Sequence, residues 1–184
     1  MTHEQLVILV RVLAALIVGA AIGFERTFHG RPAGFRTHAL VCLASSLLML
    51  VTVYQNEWMT VMPLDAIRTD PTRMAQGIMT GIGFLGAGVI FKEGLTVRGL
   101  TTAASIWITA AIGVLIGIGF HYAATLGAVA TIAVLSAFRP LKSPPGAPAA
   151  LMPSDVLGLA LVFAAACLFH PSVRQRFAGT ATAS

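Results

Sequence analysis

The stretch TGIGFLGAGVIFKEG, residues 80–94, poses the question on which the fold turns. Gly81, Gly83 and Gly86 spell a literal G-x-G-x-x-G, the spacing that lets a backbone approach a dinucleotide pyrophosphate. That fingerprint works only where a strand turns into a helix and an acidic residue follows about 20 positions later. Here the preceding residues, DPTRMAQ (70–76), start a helix instead. Asp70 suits an N-cap, and Pro71 suits the first helical position, where its missing N–H is not needed. Downstream lies TTAASIWITAA (101–111), which contains no carboxylate. The glycines therefore belong to a helix, and a different need must explain them.

Composition supplies that need. Of 184 residues, 57% are hydrophobic and only 10% charged, whereas a soluble globular chain carries about 25% charged residues. There is too little polar surface to cover a soluble domain, so the chain falls in the membrane class. Lipid tails already solvate Leu and Val. Helices in a bilayer therefore associate through small residues that let backbones approach. Gly19 and Gly23, Gly77 and Gly81, and Gly113 and Gly117 each stand four apart on one helix face, and Gly83, Gly86 and Gly88 enrich the third run. Ala103, Ala104 and Ser105 add small residues to the next. The density at 81–88 exceeds what one contact face requires and raises a local break or π-like distortion, which would mark a functional point.

The apolar runs give an all-α, polytopic transmembrane helix bundle of five spans: Leu6–Phe24, Thr37–Val53, a helix opened by Asp70 and running to Phe91, Gly99–Phe120 and Tyr122–Phe138. The first is long enough at about 1.5 Å per residue to cross a hydrocarbon core of about 30 Å. It lacks the basic start of a signal peptide and reads as a retained helix. Only His121 separates the last two spans, so they form a tight hairpin or a sharply bent pair. The expected organisation is a bundle over 1–138, a Pro-rich linker over 139–153, and a short apolar helix with a polar tail over 154–184. The run Val156–Phe169 is short for a span, and its length leaves open whether it crosses.

Lys and Arg in short loops set orientation. Arg26, Arg31 and Arg36, then Lys92 and Arg98, then Arg139 and Lys142 fall on one side of a five-span bundle. The opposite loops hold Arg68 and Arg73, balanced by Glu57, Asp65 and Asp70. The N-terminus is thus expected outside. Two polar clusters are candidates for function. On the outer side, Arg11 is the one charge well inside a run. It either snorkels or pairs with Asp70 or Asp65, while Asp70, Arg73 and Gln76 share a helix face. On the cytoplasmic side, Glu25, Arg26, Arg31, Arg36 and His38 face Lys92, Glu93 and Arg98. They form either a solvated belt or a docking face for an anion, a lipid headgroup or a protein.

Other classes recede. The formal charge of +5 sits in short loops and reads as a topology and headgroup signal, not a nucleic-acid footprint. Cys42 and Cys167 lie in apolar runs without ligand-spaced partners and read as small buried hydrophobes. No carboxylate stands near the middle of a span, which argues against a carboxylate-lined cation path. Backbone carbonyls at a broken glycine helix remain an alternative. No nucleophile, base and orienting group assemble, so no catalysis, cofactor or metal site is expected.

Three segments, FERTFHGRPAGFRTHALVCL (24–43), DPTRMAQGIMTGIGFLGAGVIF (70–91) and VRGLTTAASIWITAAIGVLIGIGF (97–120), closely resemble the MgtC/SapB family of bacterial inner-membrane proteins. On that resemblance Glu25, Arg26, Arg31, Pro32, Gly34, Arg36, Thr37 and His38 form one signature. Asp70, Arg73, Gln76, Gly81, Gly83, Gly86 and Gly88 form a second, and Thr101, Thr102, Ala103 and Trp107 a third. The resemblance implies roles in growth at low magnesium, survival of pathogens inside host cells and, in some members, modulation of the rotary ATP synthase. Longer members add a soluble C-terminal regulatory domain, where this sequence has the Pro-rich linker, an apolar run and RQRFAGTATAS. The expectation is a non-enzymatic protein of the inner membrane whose partners are lipids and another membrane complex such as the ATP synthase, with a homo-oligomer as a further state. The alternative is a small transporter or channel with its path at the glycine-rich third helix.

Overall fold

The computed structural model describes residues 2–58 and 70–137, and the expected linker and last apolar run lie outside them. The elements are α1 (His3–Phe28), α2 (Phe35–Val53), a single-turn α3 (Gln55–Trp58), α4 (Pro71–Gly88), a two-stranded hairpin of β1 (Phe91–Glu93) and β2 (Thr96–Arg98), α5 (Leu100–Ile118) and α6 (His121–Ala137). The protein is a membrane helix bundle. Helices α1, α2 and α5 are each long and apolar enough to cross a bilayer, and α6 is a shorter apolar helix.

Caps explain the boundaries. Thr2 and Gln5 form a reciprocal capping box at the start of α1. The start of α2 has no cap of its own, since Gly34 has no side chain to offer. Thr27 on α1 supplies it: the Phe35 N–H donates to Thr27 Oγ1 at 2.7 Å, and that hydroxyl donates to the Gly23 carbonyl at 3.0 Å. Asp70 caps α4 through the Thr72 N–H at 2.9 Å, with Pro71 next, as the sequence predicts. Helix α5 ends at Gly119, whose φ of 92° is the left-handed cap that glycine adopts without penalty. Phe120 N–H closes back onto the Leu115 carbonyl, and α6 starts at once, giving the tight hairpin between the last two runs.

Helix α2 is the central strut, and two neighbours press glycine notches into it. On α1, a Cβ at Gly19 would lie 2.6 Å from the His38 carbonyl oxygen and 2.9 Å from the Ala39 Cα, and one at Gly23 would lie 2.7 Å from the Phe35 Cα. On α5, a Cβ at Gly113 would lie 2.4 Å from the Cys42 carbonyl oxygen, and one at Gly117 would lie 2.7 Å from both the Ser46 carbonyl oxygen and the Met49 Cβ. Only backbones without side chains approach this closely. Ala15, Ile22, Cys42, Ile112, Ala128 and Ile132 fill the core that α1, α2, α5 and α6 share. Helix α4 joins a second cluster through Ile78, packed with Val41, Met49, Ile106 and Ala110.

Two expectations about α4 are corrected. It is one continuous helix through Gly88, with no break or π-distortion, and it stops short of Phe91, which opens the hairpin. Nor do most of its glycines pack against the other described residues. A Cβ at Gly77, Gly81, Gly83 or Gly88 would meet nothing within 4 Å, and only Gly86 faces a neighbour, with Ala103 Cβ at 3.7 Å. The turn between β1 and β2 was not legible as a strand pair. Gly94, at φ 61°, takes the first position of a two-residue turn that needs positive φ there.

Gly113→Leu should therefore lower the unfolding free energy in detergent by at least the ~1–3 kcal/mol typical of overpacking. Gly83→Leu should leave it unchanged or raise it, since it replaces a poor helix former on an open face. Thermal melts followed by far-UV circular dichroism compare the two directly.

Candidate functional site: a buried polar seam and an open glycine face

The cytoplasmic cluster expected from sequence divides in two. Glu25, Arg26 and His38 are buried between helices, whereas Arg31, Arg36, Lys92, Glu93 and Arg98 are exposed. Glu93 and Arg98 pair with each other across the hairpin at 2.9 Å. Burial separates them because α1 and α2 carry the first group inward on the notched face, while the hairpin projects away with every strand residue exposed.

The buried group forms a seam with α5. Arg26 donates through one guanidinium nitrogen to Thr102 Oγ1 and to the Pro32 carbonyl, so it ties the end of α1 both to the first turn of α5 and to the α1–α2 loop. His38 is fully buried. Its Nδ1 lies 3.0 Å from the Gly34 carbonyl, which only accepts, so Nδ1 carries a proton. In the neutral ring Nε2 then accepts, and the partner is Ser105 Oγ at 3.1 Å. Ser105 Oγ also lies 2.8 Å from the Thr102 carbonyl, so its one proton has two acceptors within reach. Thr109 Oγ1 donates onward to the Ser105 carbonyl at 2.7 Å. At the rim, His29 Nδ1 is 2.7 Å from the Glu25 carbonyl and 3.6 Å from the Glu25 carboxylate.

Sequence reasoning placed Thr102 in a family signature and read Ser105 as a packing residue. Their role as partners of Arg26 and His38 was missed. The signal was present: Thr102, Ser105 and Thr109 stand at helical spacing and make a polar stripe on an otherwise apolar helix.

The outer cluster is likewise rearranged. Arg11 is buried and donates to the Gly117 carbonyl at 2.8 Å, in the last turn of α5. A guanidinium there satisfies a carbonyl that the helix leaves open and meets the negative end of its dipole. Gly119 clears the way, since a Cβ on it would lie 2.9 Å from an Arg11 nitrogen. Asp70 is exposed and turns to Thr72, accepting from its N–H and, at 2.6 Å, from its hydroxyl. Those two bonds hold the Asp70 carboxyl below its ordinary range. Arg73 and Gln76 are exposed on the same helix, and Asp65 lies outside the described residues. Among the described residues no three His, Cys, Asp or Glu side chains gather as metal ligands.

Helix α4 leaves an apolar groove of about 420 Å³ against α2, lined by Leu40, Ala44, Leu48, Met74, Ile78, Leu85 and the two glycines Gly77 and Gly81. Phe84 stands beside it, 82% exposed. The G-x-G-x-x-G spacing thus lies wholly within a helix and offers no strand-to-helix turn to a dinucleotide.

Comparison with known proteins now adds a lineage. Residues 12–143 match the family model described as MgtC family. The chain belongs to the MgtC family. It is 44% identical over 133 residues to the Escherichia coli (strain K12) protein named "Putative magnesium transporter YhiD", covering 72% of this chain and 61% of that protein. It is 45% identical over 127 residues to "Protein MgtC" of Brucella abortus (strain 2308), covering 69% and 49% respectively. It is 40% identical over 140 residues to "Protein SrpB" of Synechococcus elongatus, covering 72% and 75%. The matched region thus spans about three-fifths of the Escherichia coli relative and half of the Brucella one. No solved structure matches.

Two predictions follow from this geometry. Ser105→Ala leaves a buried imidazole nitrogen without its donor and should cost about 1–3 kcal/mol. A cycle with His38→Ala should show a coupling of about 0.5–3 kcal/mol in denaturant unfolding. Arg11→Met should destabilise the protein by about 1.5–3 kcal/mol, the range for a hydrogen bond to a charged group. Asp70→Asn, which keeps the cap, should change stability little. Because the folded Asp70 carboxyl titrates below its unfolded value, its contribution is present at neutral pH and fades as pH falls through the folded pKa. Unfolding of Asp70→Asn should lack that acid-side loss.

Proposed function

We propose that this protein is a non-enzymatic component of the bacterial inner membrane, N-terminus outside, that adjusts magnesium-linked ion or energy homeostasis by docking another membrane complex. The observation that carries the reading is the open face of α4. Gly19, Gly23, Gly113 and Gly117 show how this chain uses glycine, as a notch that receives a neighbouring backbone. A Cβ at Gly77, Gly81 or Gly88, which share one face of α4 beside an apolar groove, would meet nothing among the described residues, so these are open notches of the same kind. In lipid such a face suits a helix of another protein. The magnesium link comes from the name of the Escherichia coli relative, and the ATP synthase is the first candidate partner on the family resemblance.

A second reading, transport of a small ion or solute, draws on the seam of Arg26, Thr102, Ser105 and His38, since polar groups inside a membrane bundle commonly mark a path. Its site is the α1–α2–α5 junction and not the glycines of α4, whose helix is unbroken.

Gly81→Leu and Gly88→Leu separate the readings, because both positions are open and the bundle should fold unchanged. Docking predicts that each variant loses co-purification with ATP synthase subunits and loses any effect on ATP-driven proton pumping in inverted vesicles. Wild-type-like behaviour in both assays would remove the α4 docking reading. Saturable magnesium flux into proteoliposomes, abolished by His38→Ala and untouched by Gly81→Leu, would put transport in its place.

A further inference from the structure

The β1–β2 hairpin is a structural anomaly. Two-stranded hairpins are marginal in water and gain independent stability from a surface that covers a face. This one has three-residue strands, and every one of those residues is exposed. Leu95, at the tip, is 99% exposed, and Phe91 and Val97 are about half exposed. A membrane boundary is close at hand. The C-terminus of α1 and the N-termini of α2 and α5, the three helices long enough to cross, meet at this end of the bundle, as the Arg26 bonds to Pro32 and Thr102 require. Ala33 of the α1–α2 loop packs in the same cluster as Val89, two residues before β1.

We propose that the hairpin is a lipid-binding element, with Leu95 seated among acyl chains and the surrounding cations holding anionic phospholipid headgroups. The charge pattern selects the partner. Among the described residues Arg31, Arg36, Lys92 and Arg98 are exposed at this end, against one exposed carboxylate, that of Glu93, which Arg98 engages. Arg31, Arg36 and Lys92 remain to meet phosphate. In the register, Lys92 stands opposite Val97, so a cation and an apolar side chain share one face, the pairing that suits the headgroup boundary. The turn formed by Gly94 and Leu95 then acts as an apolar wedge whose depth the cations limit.

The test uses the full chain with Leu95→Cys in a Cys167→Ser background, Cys42 being buried, and a polarity-sensitive fluorophore on the new thiol. The protein is reconstituted in vesicles of phosphatidylcholine alone or of an equal mixture with phosphatidylglycerol, each carrying a shallow nitroxide-labelled lipid. The expected result is blue-shifted emission and nitroxide quenching in the mixed vesicles. Lys92→Gln should reduce the quenched population about fivefold, as loss of one surface cation should, Lys92→Glu should reduce it further, and reversal of Arg36 should act in the same direction. Far-UV circular dichroism controls for folding, and Lys92→Arg should retain the wild-type signal. Water-like, unquenched emission in both vesicle types would overturn the proposal. So would quenching that is equal in both types and indifferent to charge reversal, or a probe that shifts only when soluble protein is added.

Discussion

Backbone-to-backbone approach at four glycines is the constraint on which the bundle depends. Gly19 and Gly23 on α1, and Gly113 and Gly117 on α5, seat those helices against α2 at distances no side chain permits. In lipid there is little hydrophobic drive to compensate for a poorer fit, because acyl tails solvate leucine as well as a protein core does. Close approach also creates the polar geometry. His38 reaches Ser105, and Arg26 reaches Thr102, because α1 and α5 are both drawn onto α2, their glycine contacts meeting at Cys42. The packing and the polar seam are consequences of one arrangement.

Charge is distributed accordingly. Arg11, in the first half of α1, and Arg26, in its last turn, stand about 22 Å apart along its axis at 1.5 Å per residue. Each is buried, and each ties α1 to α5, Arg11 at that helix's final turn and Arg26 at its first. The two arginines therefore tie α1 to both ends of α5, while Gly19 and Gly23 between them seat α1 against α2. Both guanidiniums reach neutral oxygens of α5.

Much of this was readable from residues. The helices, the Asp70–Pro71 start, the tight hairpin between the last two runs and the packing role of the α1 and α5 glycines follow from periodicity, caps and spacing, although the turn falls at Gly119–Phe120 and His121 already opens α6. The α4 glycines show where that reasoning stops. Spacing identifies a face that can receive a backbone, and it contains no information about whether the receiving backbone belongs to the same chain. For Arg11 the sequence offered snorkelling or pairing with Asp70 or Asp65; its bond to the last turn of α5 was not legible, because a helix C-terminus has no letter in the sequence. The seam was missed for a related reason: threonine and serine on a membrane helix read as small residues until a histidine on another helix is brought beside them. The hairpin was hidden because FKE and TVR are too short to establish an alternation.

Thr27 makes α1 and α2 share one boundary. The first turn of α2 is completed by a hydroxyl from α1, at a junction where Gly34 is hemmed in by that same side chain. The start of the second helix is therefore complete only where the last turns of the first are in place, and a change at this one threonine touches both elements at once.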